Sequence, residues 1–287
     1  MARFQIVIIR PSEYIHSDCF QEVAETVRYG LKALGHEAEI RENYFSRNAW
    51  NIVFGSHLCK GISLFDDGDL ITRPIVYNLE QHEAQGFRDS MRFGTLGTWW
   101  DYSAENLVRY PAPFPARLVP IGYMPEMTRI RPREQDLDVV FFGSMNERRA
   151  LVLNKLANLG YRTVHQFGVY GRERDELISR AKVCLNVHFY ESKIFEIVRC
   201  SYLMANYKAV VSEDSIEIDP DIREGIAEAP YGALVEAVRY FLENEKARKD
   251  LQDRGFEAMK KRDEEKILEA ALEGVDLEIP EEATTNA

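Results

Sequence analysis

The feature that most constrains the fold is an alternation of short apolar runs with helical patterns along most of the chain. Residues 4–9 predict a first strand, residues 18–34 an amphipathic helix that stops at Gly35, and residues 36–41 a second strand. Further strands are expected at 51–55, 75–79 and 117–121. Alternating strands and helices are typical of α/β units, in which parallel strands form one sheet covered by helices.

The pattern restarts in the second half of the chain. Strands are expected at 138–142, 162–167, 183–189 and 209–212, with helices at 146–159, 172–181 and 193–206. The proline-containing, charged segment 123–136 lacks apolar periodicity and suits a linker. We therefore expect an α/β fold of two Rossmann-like domains, residues 1–134 and 135–245, with a cleft between them and a helical, acidic C-terminal tail, 246–287. Ligands of such sheets bind at the carboxyl ends of the strands.

Composition excludes several classes of protein. No run among the 287 residues approaches the ~20 apolar residues that span a bilayer, so we expect no membrane span. The first residues lack the pattern of a signal peptide, and the four widely spaced cysteines suit buried, reduced thiols, which predicts a cytoplasmic protein. A net charge of -11 argues against nucleic acid as a partner, because phosphate binding draws on positive charge.

The segment F-F-G-S-M-N-E-R-R, residues 141–149, has the outline of a phosphate site. A strand leads into Gly143 and Ser144, and a helix then begins close to Arg148 and Arg149. The start of a helix offers free N–H groups, and guanidinium groups add paired donors that match a diphosphate. The same residues also fit an ordinary strand-to-helix turn with two solvated arginines, and both interpretations stay open.

A resemblance emerges from the order of the motifs in this half. The G-S-x-x-x-R-R turn, a strand ending L-N-V-H-F-Y, a helix with F-E-x-x-R and the sequence L-M-A-N-Y-K-A-V-V-S-E together resemble the C-terminal, nucleotide-sugar-binding domain of GT-B glycosyltransferases. The resemblance implies that Glu196 holds the ribose or the sugar, with Arg199 beside it. It also implies that four residues face the diphosphate: Gly143, Ser144, Arg148 and Arg149. The alternative for Glu196 is a helix-surface carboxylate paired with Arg199, three positions along.

Two further residues are candidates for the same site. Tyr170, between two glycines after a predicted strand, suits either stacking on a nucleobase or a plain tight turn. His188 ends a strand on the expected ligand side and suits either a hydrogen bond to a phosphate or sugar, or a satisfied core histidine.

Candidate catalytic residues lie in the first half. Glu80, His82 and Asp101 follow apolar runs, and a carboxylate or an imidazole can remove the proton of an acceptor hydroxyl. The aromatic residues nearby suit either a platform for a sugar or the core: Trp99, Trp100 and Tyr102. Ser103 is expected to cap a helix.

One motif points to a metal. Asp66, Asp67 and Asp69 follow an apolar run, and aspartates spaced in this way can hold Mn²⁺ or Mg²⁺ on a diphosphate. Gly68 within the cluster is typical of a turn, which favours a loop. We therefore expect no metal site and no cofactor beyond a nucleoside-diphosphate sugar as co-substrate.

These observations predict a metal-independent glycosyltransferase that moves a sugar from a nucleoside-diphosphate sugar, UDP-sugars being one candidate, to an unidentified acceptor hydroxyl. Two alternatives remain. One is a non-catalytic protein that binds a nucleotide or nucleotide sugar. The other is a glycosyltransferase whose acceptor is a macromolecule, either protein or modified DNA.

Overall fold

The computed structural model describes residues 1–59, 74–94, 97–109 and 113–277. The aspartate motif at 66–69 and the acidic end from residue 278 therefore lie outside the described residues. The described residues divide into two compact units, one formed by those within 1–120 together with 265–277 and the other by residues 121–264.

The first unit is built on a six-stranded, fully parallel sheet in the order β2-β1-β3-β4-β5-β6. Its strands are β1 Arg3–Ile8, β2 Glu37–Glu42, β3 Trp50–Phe54, β4 Pro74–Asn78, β5 Thr98–Asp101 and β6 Ala116–Leu118. Its helices are α1 Gln21–Ala33, α2 Gln85–Gly94 and α3 Ala104–Arg109. The central strands β3 and β4 are buried along their whole length, as expected of parallel strands with both faces covered.

The first helix follows the predicted apolar spacing, with Val23, Val27 and Leu31 all buried. Its end is also as predicted, because Gly35 adopts a left-handed conformation with φ +82°. Its start differs. Residues Ile15–Phe20 form a 3₁₀ helix ahead of α1, and the hydroxyl of Ser17 in it donates to the carbonyl of Ile9.

The second unit contains a five-stranded parallel sheet in the order β11-β10-β9-β7-β8. The strands are β7 Leu137–Phe142, β8 Thr163–Gln166, β9 Ala181–Asn186, β10 Ala209–Glu213 and β11 Ala227–Ala229. The helices are α4 Glu147–Asn158, α5 Gly171–Arg180, α6 Ile197–Ala205, α7 Pro220–Arg223, α8 Leu234–Glu243 and α9 Glu245–Lys261. Leu234 and Val238 of α8 pack on Val183 and Leu185 of β9, in one buried cluster.

The division between the units differs from the sequence boundary near residue 134. Segment 121–134 belongs to the second unit, where the hydroxyl of Thr128 donates to Ala205 and the amides of Arg129 and Ile130 donate to Asn206. The proline and charged residues of this segment indicate irregular structure. They do not indicate which unit the segment is hydrogen-bonded to.

The predicted tail, 246–287, is also divided. Helix α9 packs against α6 and β10 in the second unit, whereas α10, Glu264–Leu272, belongs with the first unit from residue 265 onward. Arg117 of β6 donates from Nη1 to the carbonyls of Ala270 and Ala271, 3.2 and 3.0 Å away. The helical character of the tail is confirmed for its described part, residues 246–277.

The α/β class predicted from the sequence is confirmed by two fully parallel sheets with helices on them. Among the described helices, none combines the length and the apolar character that crossing a bilayer requires.

Candidate functional site

Polar side chains gather at the carboxyl edge of the second sheet. Strands β7, β9 and β10 are neighbours there, and they end at Phe142, Asn186 and Glu213. The loops that follow them, together with the first turns of α4 and α6, carry most of the residues predicted for a nucleotide sugar. The carboxyl ends of parallel strands are where open α/β sheets bind ligands.

Arg148 forms a two-point ion pair with Glu213. The side chain of Asn146 caps α4 by accepting from the amide of Arg149, 3.0 Å away, and Arg148 lies in the first turn of the helix. Its Nη1 and Nη2 lie 3.1 and 2.6 Å from the two carboxylate oxygens of Glu213. Burial favours the neutral form of Glu213, but the hydrogen bonds from Arg148 and Lys193 outweigh it and lower the pKa of the carboxyl.

Arg149 is turned into the protein. Only 4 % of its side chain is exposed, and its guanidinium lies 5.1 Å from the ring centres of both Phe141 and Phe189. Its Nε donates to the carbonyl of Val187 and its Nη1 to that of Ser144, both at 2.8 Å. Burial, with the nearby charge of Arg199, lowers the pKa of Arg149 to about 10. This placement favours a bracing role over the predicted contact with a diphosphate.

Glu196 directly precedes α6 and is held as a carboxylate. Its Oε2 accepts from Nδ2 of Asn186 at 2.8 Å and lies 2.9 Å from Nδ1 of His188, at ion-pair distance. Its Oε1 has a longer contact, 3.5 Å, with Nη2 of Arg149. Burial raises the pKa of Glu196, but His188 and the charge of Arg199 outweigh that effect and lower it. Glu196 is therefore not a simple helix-surface carboxylate.

Arg199 lies over Gly143. Its Nη1 donates to Oδ1 of Asn186 at 2.6 Å, and its guanidinium is 5.4 Å from the ring centre of Phe141. Gly143 has φ +132°, and a Cβ at this position would lie 2.9 Å from Nη2 of Arg199. Glycine is needed at this position because a guanidinium approaches the backbone closely and because φ is positive.

His188 and Tyr170 are placed differently from one another. The ring of His188 is almost fully buried and lies between Glu196 and Ser215, whose Oγ is 3.0 Å from Nε2. Tyr170 directly precedes α5, on the loop after β8. The end of β8, just before this loop, contacts the loop after β7, since Nε2 of His165 lies 2.9 Å from the carbonyl oxygen of Gly143.

In the first unit, Asp101 is fully buried at the end of β5. Its two carboxylate oxygens accept four hydrogen bonds, from Asn78, Trp99, Ser103 and Asn106, at 2.8 to 3.2 Å. Burial raises the pKa of Asp101 to about 6. These contacts favour a structural role, in which Asp101 joins the loops after β4 and β5, over the predicted catalytic one.

Glu80 and His82 follow β4. His82 is 6 % exposed and its backbone amide donates to Asn106, whereas 30 % of the Glu80 side chain is exposed. Burial of its carboxyl raises the pKa of Glu80. Its Oε1 lies 3.8 Å from Nε2 of His57, a residue the sequence analysis missed. His57 follows the adjacent strand β3, and that position is the signal that could have identified it.

The aromatic residues of β5 belong to the core. Trp99 and Trp100 are 1 % and 0 % exposed, and Tyr102 is buried as well, so they form no platform for a sugar. Ser103 caps α3 as predicted, its Oγ accepting from the amide of Asn106 at 3.3 Å.

Two charged residues of the site in the second unit were also missed, Glu213 and Lys193. Lys193 lies 3.1 Å from Glu213, in a left-handed backbone conformation with φ +48°. A glutamate directly after the apolar strand A-V-V-S was the available signal. Across the described part of the chain, no group of three or more His, Cys, Asp or Glu side chains is placed to hold a metal ion.

No protein-family model matches the chain. It is 30 % identical over 156 residues to uncharacterized protein L140 of Acanthamoeba polyphaga mimivirus, a match that covers 50 % of this chain and 50 % of that protein. The chain therefore spans about half the length of this curated relative.

Solved structures share the fold over nearly the whole chain. Sucrose-phosphate synthase from Thermosynechococcus elongatus superimposes with a TM-score of 0.59 at 13 % identity, over 94 % of this chain and 98 % of that one. HepE from Anabaena, in complex with UDP and glucose, gives 0.61 at 9 % identity, over 95 % and 99 %. The chain thus has the fold of GT-B glycosyltransferases, as the resemblance in its sequence predicted.

Proposed function

We propose that this chain is a glycosyltransferase that binds a nucleoside-diphosphate sugar at the carboxyl edge of the second sheet and transfers the sugar to an acceptor hydroxyl. The observation that carries the proposal is the gathering of Arg148, Arg199 and Glu196 at that edge. Arg199 lies over Gly143 and shares Asn186 with Glu196, and Arg148 pairs with Glu213 at the end of β10. HepE, which has the same fold, binds UDP-glucose in its crystal structure, and this supports a donor of the same class.

The local charge suits an anionic ligand. The site holds one more positive than negative side chain, within a chain whose net charge is -11. Its four cations are Arg148, Arg149, Lys193 and Arg199, and its three carboxylates are Glu196, Glu213 and Asp214. Departure of a nucleoside diphosphate builds negative charge on its oxygens. Fixed guanidinium donors at that position stabilise the charge without having to reorganise, so transfer can proceed without a metal.

The arginines have different roles. Arg148 keeps 38 % of its side chain exposed, and Nη2 of Arg199 lies over the backbone of Gly143, so these two reach the diphosphate. Arg149 braces the loop through Ser144 and Val187.

Glu196 accepts from a ribose or sugar hydroxyl. Its Oε1 is the freer oxygen, because Oε2 is already contacted by both Asn186 and His188. Its lowered pKa keeps the side chain an acceptor at neutral pH.

Glu80 is our choice for the group that removes the acceptor proton. Among the three predicted catalytic residues it is the most exposed, and its raised pKa brings the carboxylate closer to the basicity that proton abstraction at neutral pH requires. His57, 3.8 Å away, is placed to interact with it.

Nucleotide binding is the direct test. Isothermal titration of the purified chain with UDP, GDP, TDP, CDP and ADP, with and without EDTA, should give a dissociation constant for at least one nucleotide that EDTA leaves unchanged. Arg199→Ala should weaken that binding about tenfold or more, since a charged hydrogen-bond donor is lost. Arg239→Ala, at an exposed helical ion pair, is the matched control.

Absence of binding for all five nucleotides would contradict the donor site. Binding that requires Mg²⁺ or Mn²⁺ would instead point to Asp67 and Asp69, outside the described residues.

A second candidate is a protein that binds the nucleotide sugar without transferring the sugar. The burial of Asp101 and His82 favours it, since it leaves Glu80 as the one partly exposed member of the three predicted catalytic residues. Release of nucleoside diphosphate from the bound sugar donor separates the two functions. A transferase should turn over, and Glu80→Gln should lower kcat at unchanged donor affinity.

A further inference from the structure

Asn186, the last residue of β9, is fully buried in the middle of the proposed donor site. Its amide makes three side-chain hydrogen bonds. Oδ1 accepts from Nη1 of Arg199 at 2.6 Å, and Nδ2 donates to Oε2 of Glu196 at 2.8 Å and to Oγ of Ser212 at 3.0 Å. One amide therefore contacts both charged residues at the start of α6.

The orientation of this amide is fixed by its partners. A guanidinium only donates, so Arg199 must face the amide oxygen, and an ionised carboxylate only accepts, so Glu196 must face the amide nitrogen. The hydroxyl of Ser212 donates to the carbonyl of Glu213 and is thereby left to accept from Asn186. A flipped amide would place like groups together at two of these contacts at least.

The amide also keeps two opposite charges apart. Glu196 and Arg199 are three residues apart at the start of a helix, a spacing at which such side chains commonly pair with each other. Here Asn186 instead accepts a hydrogen bond from Nη1 of the arginine and donates one to Oε2 of the glutamate. This leaves Nη2 of Arg199 over Gly143 and Oε1 of Glu196 with a single long contact, 3.5 Å to Arg149.

We propose that Asn186 is the positioning residue of the donor site. By bridging Arg199 and Glu196 it prevents their direct pairing and aims one group of each at the nucleotide sugar. This inference rests on the proposed function, because it assigns a task to a residue that touches the ligand-binding groups rather than the ligand.

The test is Asn186→Asp. The introduced carboxyl can still accept from Arg199, but it has no N–H for Glu196, and two carboxylates at hydrogen-bond distance must share one proton. The affinity for a nucleoside diphosphate should therefore fall about tenfold or more at pH 8, relative to the unmodified chain at the same pH, and recover as the pH is lowered to about 5.5.

Other titratable groups face Glu196 as well. His188 contacts it from the loop after β9, and Arg149 and Arg199 contact or approach it from α4 and α6. These groups are present in both proteins, as is the titrating phosphate of the nucleotide. The informative quantity is therefore the ratio of the two dissociation constants at each pH, measured by titration calorimetry with the tightest binder among the five nucleotides.

Two further variants complete the experiment. In the double variant Asn186→Asp with Glu196→Gln, the amide at position 196 donates to the carboxylate at position 186, so the contact is restored with donor and acceptor exchanged. The ratio of the two dissociation constants should then be independent of pH. Asn244→Asp makes the same chemical change at the exposed cap of α9, where an aspartate also caps well, and should leave the ratio near one.

Recovery at low pH in the single variant, absent from the other two, supports the proposal. An unchanged ratio at both pH values, or an equal loss at both, overturns it. Failure of both Asn186 variants to fold also overturns the proposal. A residue that only orients charged groups should tolerate an exchange of the donor and the acceptor in this contact. If the unmodified chain binds none of the nucleotides, it is the proposed function that fails.

Discussion

Arg148 and Glu213 are joined at two points, with Nη1 and Nη2 of the guanidinium 3.1 and 2.6 Å from the two carboxylate oxygens. The carboxylate has no exposed area, whereas 38 % of the arginine side chain is exposed. Glu213 also lies 3.1 Å from Nζ of Lys193 and accepts from the amide of His188. The pair therefore connects the start of α4 with the ends of β9 and β10.

Removing Arg148 should cost more stability than its exposure suggests, because the carboxylate it leaves behind is buried. We expect Arg148→Ala to lower the free energy of unfolding by about 2–4 kcal/mol at pH 7, measured by urea denaturation. Adding Glu213→Gln to this variant should give a total loss smaller than the sum of the two single losses. Arg239→Ala should change stability by less than about 0.5 kcal/mol. Additive losses would show that the two side chains act independently.

Gly143 should be intolerant of alanine for two separable reasons. Its φ of +132° is strained for any other residue, and a Cβ would lie 2.9 Å from Nη2 of Arg199. Gly143→Ala should lower both stability, by about 1–3 kcal/mol, and nucleotide affinity. Gly160→Ala is the control, because Gly160 has φ +91° but nothing within 4 Å of a Cβ, so only stability should fall. A loss of stability in Gly143→Ala without any loss of nucleotide affinity would leave backbone strain as the whole cause.

The sequence predicted the sheets because the signal for a buried strand is local. The runs F-Q-I-V-I and V-V-F-F each carry their own apolar pattern, and they became β1 and β7. Strand β5 was missed because Trp99 and Trp100 also suit a platform for a sugar, and only their burial separates the two interpretations. Helix α2 was missed as well.

The partners of the two arginines could not be predicted from the sequence. Arg148 and Glu213 are 65 positions apart, so the pair depends on how β7 and β10 are arranged around β9. The sequence placed Arg148 and Arg149 together as equivalent donors. In the structure Arg148 points toward Glu213, whereas Arg149 is buried against two phenylalanines. The two arginines differ because neighbouring residues on a helix point in different directions.

Asp101 should give the first unit an unusual dependence on pH. Its pKa is raised to about 6 in the folded protein, against 3.8 for an ordinary aspartate. Between these values the folded protein holds a proton that the unfolded chain has released, so raising the pH favours unfolding. The full shift corresponds to about 3 kcal/mol. The free energy of unfolding should lose about 2 kcal/mol of this between pH 4 and 6, and a further ~0.4 kcal/mol above pH 6 as the last of the folded protein releases its proton.

The measurement is urea denaturation at pH 4, 5, 6 and 7 for the unmodified chain and for Asp101→Asn. The variant is expected to be less stable at every pH, because an amide cannot accept all four hydrogen bonds. Its free energy of unfolding should, however, not show the decrease with rising pH that Asp101 causes. Parallel curves for the two proteins would show that Asp101 is ionised throughout this range.

Arg149 should not be replaceable by lysine, although the charge is kept. Its planar guanidinium lies between the rings of Phe141 and Phe189 and donates to two carbonyls on different loops, those of Ser144 and Val187. A lysine offers one compact ammonium group that cannot fill this space or span both carbonyls, and burial would oppose its charged form. Arg149→Lys should therefore lower the free energy of unfolding by about 2–3 kcal/mol, measured by urea denaturation at pH 7. Arg239→Lys, on an exposed helix face, should lie within about 0.5 kcal/mol of the unmodified chain. Similar small losses in both would mean that the charge of Arg149, and not its shape, stabilises the loop.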